Sequence, residues 1–148
     1  YHKLQYPSNK GLLEKDFIEF CDKDSKVEAF CKINEYKHTF LRFRYMRTDG
    51  IPAYYSPDFI VKTAEKIFLV ETKSDSAASW DENVQRKKKS AMNYLNRINR
   101  LEPEKRENRK REYVLLNEGR FYTYQQNGGN IDDMLNSAKL QEVKTSLF

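Results

Sequence analysis

Pro57-Asp58-Phe59-Ile60-Val61-Lys62 and, after the polar turn Thr63-Ala64-Glu65-Lys66, Ile67-Phe68-Leu69-Val70-Glu71-Thr72-Lys73 decide the fold. Within them Phe59 to Lys62 and Ile67 to Glu71 are short apolar runs, rich in β-branched and aromatic residues, so they read as a β-hairpin. Side chains alternate across a strand, which sets Glu71 and Lys73 on one face and Thr72 on the other. A run as apolar as Ile67 to Val70 belongs in the middle of a sheet, where an unpaired charge at its end is costly. Lys73 can neutralise Glu71, but Asp58, at the start of the neighbouring strand, is a second carboxylate that needs its own partner. A hard divalent cation meets that need, because Mg²⁺ takes oxygen ligands, often one or two carboxylates with water and phosphate oxygens.

The helical segments on either side present acids and bases to the same region. From Leu12 to Asp22, at about 100° per residue, Leu13, Phe17, Ile18, Phe20 and Cys21 form one apolar arc, and Glu14 falls inside it. An acid on a buried helix face calls for a partner, and the metal cluster offers one directly or through water. Asp81 to about Leu101 reads as a long helix with Val84, Ala91, Met92, Leu95 and Ile98 on one stripe. Lys87 and Lys88 sit in that stripe near its N-terminal end, where they either touch a phosphate or extend from the stripe edge into water. Gln85 projects outside the stripe.

The rest of the chain supplies further elements. Thr39 to Arg47 alternates as a strand closed by Thr48-Asp49-Gly50, and Glu112 to Leu116 reads as another strand. Asn117-Glu118-Gly119 then reads as a hairpin turn into a last strand, Phe121 to Tyr124, ended by Asn127-Gly128-Gly129. Ile131 to Leu140 has helical register. This order gives an α/β domain with a mixed central β-sheet flanked by helices. The 148 residues, without a Pro/Gly-rich linker, suffice for a single domain spanning residues 1–148. Lys and Arg number 27 against 22 acids, a net charge of +5. The bases gather at Arg42/Arg44/Arg47, at Arg86 to Lys89 and at Lys105 to Arg111, which favours a polyanionic partner. Two cysteines and two isolated histidines make a disulfide framework, a zinc site or a serine triad poor readings. No run is apolar and long enough to span a bilayer, and a cytoplasmic location is expected. The opening Tyr1-His-Lys-Leu-Gln-Tyr6, without methionine, suggests a piece of a longer chain.

Pro57-Asp58 followed by Glu71-Thr72-Lys73 resembles the signature of the PD-(D/E)xK nucleases. The wider text, Tyr55-Ser-Pro-Asp-Phe-Ile-Val61 with Phe68-Leu-Val-Glu-Thr-Lys-Ser74, is similar to the C-terminal endonuclease domain of the restriction subunit of type III restriction enzymes, over about Leu12 to Tyr122. The resemblance implies a restriction-endonuclease-like fold and Mg²⁺-dependent hydrolysis of DNA phosphodiesters, with Mn²⁺ able to substitute. It implies that Asp58, Glu71 and the Thr72 backbone carbonyl hold the metal, that Lys73 orients or deprotonates the attacking water, and that Glu14 completes the shell. It makes Lys87, with Lys88 and Arg86 beside it, the expected contact to double-stranded DNA. It also implies a parent helicase-like translocase that would use ATP outside this segment, and a separate modification methyltransferase subunit. The alternative is a non-catalytic DNA-binding module of such a translocase.

Overall fold

A computed structural model describes residues 11–34, 36–38, 40–75 and 82–146, with side chains up to residue 138. Thr39, Asp81 and the opening six residues therefore lie outside the described residues. Helix α1 (Gly11–Lys23) leads into β1 (Ala29–Lys32), the hairpin β2 (Phe43–Met46) and β3 (Pro52–Tyr55), then β4 (Phe59–Lys62) and β5 (Lys66–Lys73). Helix α2 (Glu82–Asn99), a 3₁₀ turn at Pro103–Arg106, β6 (Lys110–Asn117), α3 (Glu118–Gln126) and α4 (Ile131–Ser146) complete the order.

Four strands form a mixed sheet in the order β1-β4-β5-β6, antiparallel except for the parallel β5–β6 pair. The protein is thus mixed α/β, with helices flanking a mixed sheet. β5 is buried on both faces from Phe68 to Lys73, as its apolar run requires of a central strand. Phe68 and Val70 on one face, with Val114 and Leu116 of β6, pack against Leu13, Phe17 and Ile18 of α1, Phe121 of α3 and Met134 and Leu135 of α4. Leu69, with Tyr113 and Leu115 on the other face, packs against Val84, Ala91 and Leu95 of α2 and Phe43 and Tyr55 of the hairpin. Met92, expected on the α2 stripe, is instead exposed.

The β2–β3 hairpin is not part of the main sheet and is held by α2. Ser90 Oγ donates to the Arg44 carbonyl at 2.6 Å, Arg86 Nη1 donates to the Met46 carbonyl at 3.2 Å, and the Thr48 N–H donates to Asn83 Oδ1 at 3.0 Å. The strand expected from Thr39 to Arg47 shrinks to Phe43–Met46, because the backbone before it turns: His38 N–H donates to the Asn34 carbonyl and Leu41 N–H to the His38 carbonyl.

The expected last strand, Phe121 to Tyr124, is a helix. Asn117, with extended backbone angles, is its N-cap, and its side chain accepts from the Arg120 N–H at 2.8 Å. The Asn-x-Gly text that suggests a hairpin turn is therefore a helix start. Burial of Phe121 against Phe17 and Phe20, and a 2.6 Å bond from the Tyr122 hydroxyl to Asp16, outweigh the β preference of the aromatic run. Gly119 fits here because Asp75 approaches it, and a Cβ at this position would lie 2.9 Å from Asp75 Oδ2. Asn117→Ala removes the cap and should lower the unfolding free energy by about 1 kcal/mol in a urea titration, with Asn117→Ser restoring most of it.

Candidate active site

The candidate residues gather where β4 ends before β5 does. The last paired residues are Phe59 and Val70, so continuing the register sets Asp58 opposite Glu71 and Pro57 opposite Thr72. Beyond that point β5 has no strand on the β4 side, and the Asp58 carboxylate replaces it. Asp58 Oδ2 accepts from both the Thr72 N–H and the Thr72 Oγ1 hydroxyl, each at 2.9 Å. Pro57 has no N–H to offer the Thr72 carbonyl, which points to the same side of the strand as the Thr72 N–H.

Glu71 is 6% exposed and Lys73 9%, on the face expected from alternation. Lys73 Nζ lies 3.5 Å from Glu71 Oε1, while the other carboxylate oxygen accepts from the Tyr55 hydroxyl at 2.9 Å. Tyr55 and Tyr113 hydroxyls are 2.6 Å apart. A phenol has one proton to give, so with Tyr55 donating to Glu71, Tyr113 donates to Tyr55. Burial first, and then the Glu71 charge, push the Tyr55 pKa far up, so its hydroxyl keeps that proton.

Lys87 enters this cluster from α2. Its Nζ lies 5.4 Å from the Tyr55 ring centroid and 5.6 Å from that of Tyr45, a cation held between two aromatic faces. Arg86 points away, bonded to Glu82 at 2.9 Å and to the Met46 carbonyl. Lys88 is half-buried on the same turn.

Glu14 is buried, at 2% exposure, as its place in the α1 arc requires. Its partner is Lys32 at the end of β1, whose Nζ bonds Glu14 Oε2 and sits 5.2 Å from the Phe59 ring centroid. Lys32 pairs in register with Phe59, and the Ile33 N–H donates to the Asp58 carbonyl at 2.8 Å, so this ion pair occupies the same end of the sheet. Among the described residues no three carboxylate, histidine or cysteine side chains converge to hold a metal. Glu14 thus does not join Asp58 and Glu71 in one ligand group.

No protein-family model, curated protein or solved structure matches this chain.

Three contributors to the site escape a reading of the sequence. Lys32 lies on a four-residue edge strand with little apolar text of its own. Tyr113 is one aromatic in an apolar run. Tyr55, three residues before Asp58, carried a usable signal: a tyrosine just upstream of a half-buried acid. Two outcomes follow for denaturant unfolding. Tyr55→Phe should cost about 1.5–3 kcal/mol, since it strips a donor from a buried carboxylate, and Tyr113→Phe only about 1 kcal/mol. Lys32→Ala should cost about 3–5 kcal/mol by leaving Glu14 buried and unpaired, and Glu14→Gln made in that background should recover part of the loss.

Proposed function

We propose that this chain is a Mg²⁺-dependent DNA endonuclease domain with a restriction-endonuclease-like fold, the cleavage module of a type III restriction enzyme. The observation that carries the reading is the Asp58 carboxylate bonded to Thr72, the residue between Glu71 and Lys73, where β4 stops before β5, with Lys73 beside Glu71. Carboxylates brought to one end of a sheet repel, and a cation held by both would remove that cost. Asp58, Glu71 and the Thr72 carbonyl fit Mg²⁺, since this hard ion commonly takes one or two carboxylates and completes its shell with water and phosphate oxygens. Mn²⁺ suits the same donors.

When bound, the cation supplies charge neutralisation at the phosphate and a lower pKa for its water. Asp58 keeps its acceptor oxygen Oδ2 aimed by the two Thr72 bonds. Lys73, as an ammonium, orients the attacking water and offsets the negative charge that grows on the non-bridging phosphate oxygens. Tyr55 fixes the Glu71 carboxylate, and Lys87, raised on its two aromatic rings, faces the phosphate that enters. Glu14 acts through Lys32, whose charge it balances beside Asp58. The partners are double-stranded DNA, a translocase domain of the parent chain that uses ATP, and a modification methyltransferase subunit, in the cytoplasm.

The second reading, a non-catalytic DNA-binding module of a translocase, draws on the ion pairs Lys73–Glu71 and Lys32–Glu14, which neutralise two of the three acids internally. Nicking of supercoiled plasmid at low salt with Mn²⁺ separates the two. Wild type should nick, and Asp58→Asn, which keeps an acceptor for the Thr72 N–H, should not. Lys73→Ala should lower turnover by about 10²–10⁴-fold while DNA affinity stays within a few-fold. Equal nicking by wild type and Asp58→Asn would refute this site.

A further inference from the structure

We propose that the groove between α2 and β2 is a separate binding site for the sugar-phosphate backbone of DNA, and that it leads a strand toward the Asp58–Glu71 end of the sheet. Only the second half rests on the nuclease reading. The groove has a volume of about 640 Å³ and is lined by Arg44 of β2 and by Arg86, Lys89, Asn93 and Arg97 of α2, with Glu82 as its one acid.

The α2 residues follow helical spacing of three or four, so they form one row on a single side. From Arg86 to Arg97 the row is about 16 Å long at 1.5 Å per residue. Three cations without a carboxylate partner among the described residues, Arg44, Lys89 and Arg97, lie on two facing walls beside the Arg86–Glu82 pair and exceed what a single phosphate can use. A polyanion can engage them all, since duplex DNA carries a charge every ~1.7 Å of its axis. Ser90 and Asn93 add neutral hydrogen-bonding groups to the same lining.

Charge availability singles out this groove from the chain's other basic run. Glu82 is already bonded by Arg86, and Arg44, Lys89 and Arg97 are exposed and pair with no carboxylate among the described residues. At Lys105 to Arg111 the two arginines that end the run, Arg109 and Arg111, are satisfied from within. Arg109 pairs with Glu28 at 2.8 Å and with Glu107 at 3.8 Å, Arg111 reaches Glu107 at 3.9 Å, and Lys62 reaches it at 2.7 Å. The groove shares one residue with the Lys87 cluster of the candidate active site. Tyr45 lines it and is one of the two rings under Lys87, and the other ring, Tyr55, bonds Glu71.

The test is anisotropy of a short labelled DNA duplex over a salt series, in chelator so that no metal chemistry intervenes. Lys89→Gln/Arg97→Gln should weaken binding and flatten the log affinity against log salt slope by about 2. Lys105→Gln/Lys110→Gln removes the same charge from exposed positions on the other run and should leave the slope near wild type. Equal losses in the two variants, or no binding by wild type at the lowest salt, would overturn the groove. Thermal unfolding verifies that both variants stay folded. A wild type that fails to nick plasmid yet binds through the groove would remove the nuclease reading alone, and one that nicks while ignoring the groove variant would remove the groove alone.

Discussion

The ends of β4 and β5 do not coincide, and much of the chemistry of this protein follows from that offset. β5 runs on through Glu71-Thr72-Lys73 after β4 has stopped at Phe59, so its backbone loses a partner while still inside the protein. Buried N–H groups must be satisfied. The residue best placed to do so is the one just before β4, and Asp58 accepts from Thr72 through both backbone and side chain. A proline at position 57 prevents the ladder from closing by one more pair. The Asp58 carboxylate is thereby fixed on the residue between Glu71 and Lys73, where β4 no longer pairs with β5.

Around this point each buried charge has been matched locally. Glu71 has Lys73 and a chain of two phenols, Glu14 has Lys32, and Lys87 has two aromatic faces. These arrangements draw on seven elements, α1, β1, β2, β3, β5, β6 and α2, that span the sequence.

The hairpin β4–β5 and the first helix were legible because each carries a strong local pattern: alternating apolar runs around a polar turn, and an arc of Leu13, Phe17, Ile18 and Cys21. The buried place of Glu14 was legible by the same arithmetic, although Lys32 was not, since β1 is four residues long and its exposure alternates without a clear apolar face. β3 was hidden by its first residue, Pro52, and by its shortness. The α3 error has a definite cause. Asn117-Glu118-Gly119 before an aromatic run is a reasonable hairpin text, and only the cap geometry and the burial of Phe121 under α1 distinguish it from a helix start. The pairing of Asp58 with Thr72 depends on where one strand ends relative to another, which hydrophobic periodicity does not encode.

The clamp of α2 on the β2–β3 hairpin bears on how safely the molecule can be concentrated. A two-stranded ribbon outside the main sheet offers two open edges to any neighbouring chain, and open edges invite intermolecular strand pairing. Here Ser90 and Arg86 occupy the Arg44 and Met46 carbonyls along one edge, and Pro52 withholds a donor at the start of the other strand. The hairpin can therefore present its aromatic and basic side chains to solvent while its backbone is poorly suited to template aggregation.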